Sequence, residues 1–205
     1  DDLMVRRSMA DVLTRLFRRL TVDALPFYNQ LKADKDPDVL AAVSNTSADL
    51  RFLDVDLWAE NLLELSKHEL PVVRRNIVPS LRDYFETFPD DSRKLLPLLW
   101  QDGDEVVRTR MRELLVKMVD ISPDKFAARL TDLSAENCDL NPLWQLMNAR
   151  KENSSEIWLD WLSGNGEIPH LEPKTQHVST KQAPDNLPSL DDALETLDQE
   201  LGFLD

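Results

Sequence analysis

Glycine is scarce in this chain, with four residues in 205. Sharp left-handed turns are therefore few, and an all-β fold threaded through tight hairpins is disfavoured. One cysteine, Cys138, leaves no intramolecular disulfide to form, and a reducing compartment is the simplest expectation. No apolar run approaches the ~18 residues that span a bilayer, and no secretory signal is visible. An intracellular protein, cytoplasmic or nuclear, without a membrane contact is expected. The three histidines, His68, His170 and His177, match no zinc spacing. A Gly-rich phosphate loop is missing too: Gly103 stands in an acidic turn, and Gly164 and Gly166 in a Ser-Gly-Asn-Gly linker. Nothing in the sequence names a base to activate Cys138. The expectation is a non-enzyme, with no catalytic residue, metal or cofactor.

What is present is apolar, acidic and rich in proline. Hydrophobic residues make up 42% and charged residues 30%, enough apolar material for a core. Most of the twelve prolines fall where helices would begin or end. The net charge of −14 is uneven. Residues 1–134 hold 20 Lys and Arg against 24 Asp and Glu, a net of −4, and residues 135–205 hold 4 against 14, a net of −10. That acidic third would repel nucleic acid.

Sliding the sequence on itself by 34 residues brings apolar positions into register. Val5, Val39, Val73 and Val107 align, as do Met9, Val43, Ile77 and Met111, then Leu16, Leu50, Tyr84 and Met118. One helix further on, Tyr28, Leu62, Leu96 and Leu130 align, and so do Leu31, Leu65, Leu99 and Leu133. Within a repeat, Val73, Ile77, Leu81, Tyr84 and Phe85 follow the stripe of an amphipathic helix. A second stripe, Leu95, Leu96, Leu99 and Trp100, follows a turn marked by Phe88-Pro89-Asp90-Asp91. Each repeat therefore reads as a helix–turn–helix that buries its apolar faces by stacking on its neighbours. Helices are expected near 3–19, 22–34, 37–51, 55–67, 71–87, 91–101, 105–119 and 123–133, with two less regular ones near 140–150 and 155–163. Asp90-Asp91 and Asp102/Asp104 read as helix caps rather than catalytic carboxylates. His68 reads as a helix-end charge.

The segment Leu95-Leu96-Pro97-Leu98-Leu99, followed by Asp104, Val107 and Arg108, resembles a HEAT repeat. Asp2, Val5 and Arg6 match the same three positions; Leu40 replaces the Arg after Asp36 and Val39, and Leu70 replaces the Asp before Val73 and Arg74. The resemblance covers about residues 1–134, and tetratricopeptide repeats, which share the period, rank second because their Gly pattern is missing. It implies an all-α fold, a right-handed α-solenoid of about four to five helical hairpins with a 34-residue period, and an Asp–Arg ladder in which Arg6, Arg74 and Arg108 are structural. The domain reading is four repeats over 1–134, irregular capping helices over 135–166, a flexible linker over 167–188 and an acidic amphipathic helix over 189–205.

Arginines cluster on the second-helix family, and Arg75, Arg82, Arg110 and Arg112 are the candidate partner-binding set there. The bland reading is a solvated face, with Arg82 attracted to Glu86 and Arg108 repelling Arg112. Trp58 and Trp100 fit core stripes, and Trp158 and Trp161 read as a cap on the last apolar face. Beyond the linker, Leu190, Leu194, Leu197, Leu201 and Phe203 form an apolar stripe without a basic residue. Such a helix is unstable alone and should dock, on its own array or on a partner. The leading function is a protein–protein interaction scaffold or adaptor that takes a protein partner, an acidic peptide or its own C-terminal helix. Nucleic-acid binding by a HEAT-like solenoid of the DNA-repair kind, or acidic mimicry of nucleic acid, are the alternatives.

Overall fold

The computed structural model describes residues 2–150, 154–164 and 167–169. The chain divides into two units, Asp1–Glu172 and Pro173–Asp205, and every described residue lies in the first. The expected helix over 189–205 and nearly all of the expected linker fall outside the described residues.

All regular structure among the described residues is helical, with no strand. The elements are α1 (Leu3–Leu20), α2 (Leu25–Lys32), α3 (Pro37–Thr46), α4 (Val55–Leu65), α5 (Pro71–Ile77), α6 (Leu81–Thr87), α7 (Pro89–Trp100), α8 (Glu105–Ile121), α9 (Pro123–Ala135), α10 (Asn141–Arg150) and α11 (Ser154–Leu162). Proline opens α3, α5, α7 and α9, where its missing N–H costs no intrahelical bond. The N-caps of α1, α3, α5 and α8 are Asp2, Asp36, Leu70 and Asp104. Three of the four are aspartates whose carboxylates accept free N–H groups of the first turn. Asp90 and Asp91, expected as caps, instead sit inside the first turn of α7, where they complement the helix dipole.

Three expected helices are interrupted, each for a local reason. The expected 22–34 begins with a 3-10 turn, Thr21–Ala24, ahead of Pro26. The expected 37–51 stops at Thr46 and continues as a 3-10 turn, Ser47–Phe52. There the Thr46 and Ser47 hydroxyls donate to the carbonyls of Val43 and Ser44, competing with the regular ladder. The expected 71–87 breaks at Val78–Ser80, because Pro79 has no N–H to give the Arg75 carbonyl four residues back.

α1 packs on α3 and α3 on α5, while α8 packs on α5 and on α10. α2 packs against α3, α4 against α5, α7 against α8 and α9. The core runs through these contacts. Trp58 meets Tyr84 edge-on at 5.8 Å, and Trp158 meets Phe126 edge-on at 4.7 Å with Trp161 beside it. Val39, Val73 and Val107 are fully buried, but Val5, placed in the same column, is 54% exposed. Among the described residues no helix packs on the outer side of α1 as α1 packs on α3, and this expected core position is exposed.

Candidate functional site

The arginines on α1 and α5 reach the acids that precede α3 and α8. Arg6 Nε donates to Asp34 at 2.6 Å, and Arg7 Nε and Nη2 hold the two oxygens of Asp36 at 3.1 and 2.9 Å. Asp36 also caps α3 through the N–H groups of Asp38 and Val39, and Asp34 accepts the N–H of Asp36. The construction recurs on α5 and α8. Arg74 Nε and Nη2 donate to Asp102 at 2.7 and 2.8 Å, and Arg75 grips both oxygens of Asp104. Asp104 caps α8 at Val107, and Asp102 accepts the Asp104 N–H. Such forked pairs are strong because the planar guanidinium matches the carboxylate. Between the two clamps, at the α3–α5 junction, both sides of the pairing are absent: Leu40 and Ala41 stand for the arginines, and His68 and Leu70 for the aspartates. His68, expected as a helix-end charge, instead accepts the Leu70 N–H at Nδ1, the task that Asp34 and Asp102 perform elsewhere.

The clamps hold their carboxylates charged. The Arg7 guanidinium holds Asp36 below the usual carboxylate range, and Arg75 does the same for Asp104. Asp34 is held low by the Asp36 N–H first and by Arg6 second. Burial pushes Asp102 up, and Arg74 with the Asp104 N–H outweighs it, so the net direction is down.

Of the expected partner-binding arginines, three are engaged internally. Arg75 is clamped to Asp104. Arg110 Nη1 donates at 2.7 Å to the Arg75 carbonyl, the one that Pro79 leaves without its helical donor. The Asn76 amide repeats that reach on the previous pair of helices, donating to the Ala41 carbonyl at 3.1 Å. Arg112 and Arg108, expected to repel one another, share Glu105 between them. Arg108 also donates to the Asp102 carbonyl, as Arg74 does to those of His68 and Glu69. Arg82 is half exposed and bonded to the adjacent Asp83, whereas its expected partner Glu86 pairs with Lys125 at 2.9 Å. Leu190, Leu194, Leu197, Leu201 and Phe203 lie outside the described residues.

The surface that sequence reasoning missed is the outer side of α1. Met4, Val5, Ser8, Met9 and Val12 line a shallow groove, and Met4 and Val5 are 66% and 54% exposed. At the far end of α1, Arg15, Arg18 and Arg19 are exposed and form no ion pair with a described residue. Arg18 and Arg19 complement the C-terminal dipole of α1. Val5 shares its column with Val39, Val73 and Val107, which are fully buried. Among the described residues, no group of three or more His, Cys, Asp or Glu is placed to hold a metal, and no helix is long and apolar enough to cross a membrane. Compared with known proteins, the chain matches no family model, no curated protein and no solved structure.

Proposed function

We propose that this protein is a protein–protein interaction scaffold, a HEAT-like α-solenoid of stacked helical hairpins that binds a partner through its surface. The observation that carries the reading is the apolar face of α1, where Met4 and Val5 are more than half exposed beside Met9 and Val12. The same positions on α3, α5 and α8 are covered by a neighbouring helix, and on α1 no described helix covers them. Four N-caps spaced by one repeat length, two of them (Asp36 and Asp104) clamped by an arginine, support the stacked-hairpin reading. The acidic apolar segment 189–205 supplies a second docking motif for a partner groove.

A photo-crosslinking residue at Val5 of the full chain tests this in extract of the source cells. A discrete protein adduct that disappears with Met9→Asp, and is not seen from a crosslinker at exposed Lys94, is the expected result. The cluster Arg15, Arg18 and Arg19 favours a nucleic-acid reading instead. A nuclease-sensitive adduct that weakens steeply with salt would replace the scaffold reading with that one.

A further inference from the structure

Arginine doublets occur three times among the described residues, and two of them hold the fold together. Arg6 and Arg7 are bound to Asp34 and Asp36, and Arg74 and Arg75 to Asp102 and Asp104. Arg18 and Arg19 form no ion pair with a described residue. Leu20, Thr21 and Val22 follow them, and all five residues are exposed. Thr21 closes α1 with a φ of 50°, a left-handed conformation that costs a β-branched residue about 1–3 kcal/mol. Its hydroxyl makes no hydrogen bond to a described residue. Every other threonine among the described residues donates its hydroxyl to an acceptor.

The same turn is exposed elsewhere in the fold, where helices lie alongside. Phe52 and Val55 stand one 34-residue period after Arg18 and Thr21. They are 73% and 45% exposed although α1 packs along α3. Ile121, at the end of α8, is 64% exposed with α5 and α10 packed on that helix. The exposure of Thr21 therefore does not depend on whether anything lies on α1. Opening the last turn of α1 moves no buried side chain between Arg18 and Asp23, and it releases the strain at Thr21. An enzyme can take up residues 18–22 in extended form at low cost.

We infer that Thr21 is the phosphoacceptor of an arginine-directed serine/threonine protein kinase. Such an enzyme reads arginines two and three residues before the acceptor with its own carboxylates, and an apolar residue after it with a pocket. Arg19, Arg18 and Val22 meet those demands, and no other pair of arginines in the sequence is followed at this spacing by Ser or Thr. In the transfer, Thr21 Oγ1 bonds to the γ-phosphorus of ATP and the bond from that phosphorus to the bridging oxygen breaks, leaving ADP. The hydroxyl proton passes to the enzyme's catalytic carboxylate. The phosphate carries a charge of about −1.5 to −2. It offsets about two of the three positive charges of Arg15, Arg18 and Arg19, and so weakens their hold on an anionic partner. The inference goes beyond the scaffold reading and does not depend on it.

The folded full chain, given ATP in extract of the source cells with phosphatases inhibited, is mapped by fragmentation mass spectrometry. Thr21 should carry the phosphate. Arg19→Ala should slow incorporation about tenfold, the worth of a charge-assisted hydrogen bond, with thermal unfolding unchanged. Thr21→Ser should remain an acceptor. Thr21→Gly should end incorporation at this position without lowering Tm, since glycine takes this φ freely. Ser8, which follows the clamped Arg6 and Arg7, should stay unmodified. No phosphate on Thr21, phosphate on Ser8 in its place, or an Arg19→Ala rate equal to that of the parent chain overturns the inference. So does a peptide of residues 15–26 that is phosphorylated in the same extract while the folded chain is not, because the fold then withholds Thr21.

Discussion

Replacing Arg74 with alanine removes the forked pair to Asp102 and the bonds to the His68 and Glu69 carbonyls. The Asp102 carboxylate, with its side chain 6% exposed, keeps only the Asp104 N–H. Breaking one side of a fully buried pair costs about 3–5 kcal/mol. The Arg74 side chain is 15% exposed and sits at a turn that water reaches, so the cost is discounted below that range, to about 2–3 kcal/mol. For a unit of this size the loss corresponds to a fall in Tm of about 5–10 °C. Urea unfolding of Arg74→Ala, Asp102→Ala and the double variant, followed by circular dichroism, measures the coupling directly. The double variant should be less damaged than the sum of the singles by at least about 1 kcal/mol. Arg82→Ala, which removes only an exposed contact to the adjacent Asp83, is the control and should change stability by less than about 0.5 kcal/mol. If Arg74→Ala is as mild as Arg82→Ala, the clamp does not hold α5 to α8 and the reasoning fails.

The chain has two tyrosines, Tyr28 and Tyr84, and burial pushes both phenols up, Tyr84 to about 12. Both neutral forms favour the folded state, so this stability is complete below the ordinary phenol value of about 10 and is lost as pH rises through the folded values. Absorbance at 295 nm should stay flat past pH 10 and then rise together with loss of helix, whereas early titration at pH 10 would show the rings to be exposed. The depressed carboxylates Asp34, Asp36, Asp102 and Asp104 carry the opposite sign. Their contribution is complete above about 3.9 and is lost as pH falls through the lower folded values. Acid unfolding of Arg74→Ala should therefore begin at higher pH than that of the parent chain, and coincident midpoints would contradict the pairing. Trp58→Ala should cost about 3–5 kcal/mol, because the ring is buried against Tyr84 and Phe88, and thermal unfolding checks it.

Periodicity made the helices legible, since every expected helix among the described residues is present in whole or in part. The interruptions were harder to read. Pro79 lies inside the helix expected over 71–87, and the carbonyl it orphans is met by Arg110 arriving from a different helix. The arginines misled for a related reason. A guanidinium on a helix face looks free until the acid 28 or 29 residues ahead is brought beside it, as Asp34 is for Arg6 and Asp104 for Arg75. Leu40 and Leu70 carried a legible clue, since the departures from the repeat motif fall on the two sides of the same junction. The open face of α1 was obscured because apolar periodicity marks a position as coverable, and Val5 has the same pattern as Val39 whether or not a helix lies on it.

The arginines of α1 and α5 tie those helices to the acids that precede α3 and α8, while Arg15, Arg18 and Arg19 at the end of α1 form no ion pair with a described residue. The Nε–H resonances of the arginines, observed by 15N-resolved NMR at neutral pH, test it most directly. Arg6, Arg7, Arg74 and Arg75 donate through Nε to carboxylates and should give separate, slowly exchanging signals, while those of Arg15, Arg18 and Arg19 should exchange rapidly and coincide. One averaged, rapidly exchanging envelope for all seven would mean that the guanidinium groups of both sets are equally free, and the account of the fold's charged joints would be wrong.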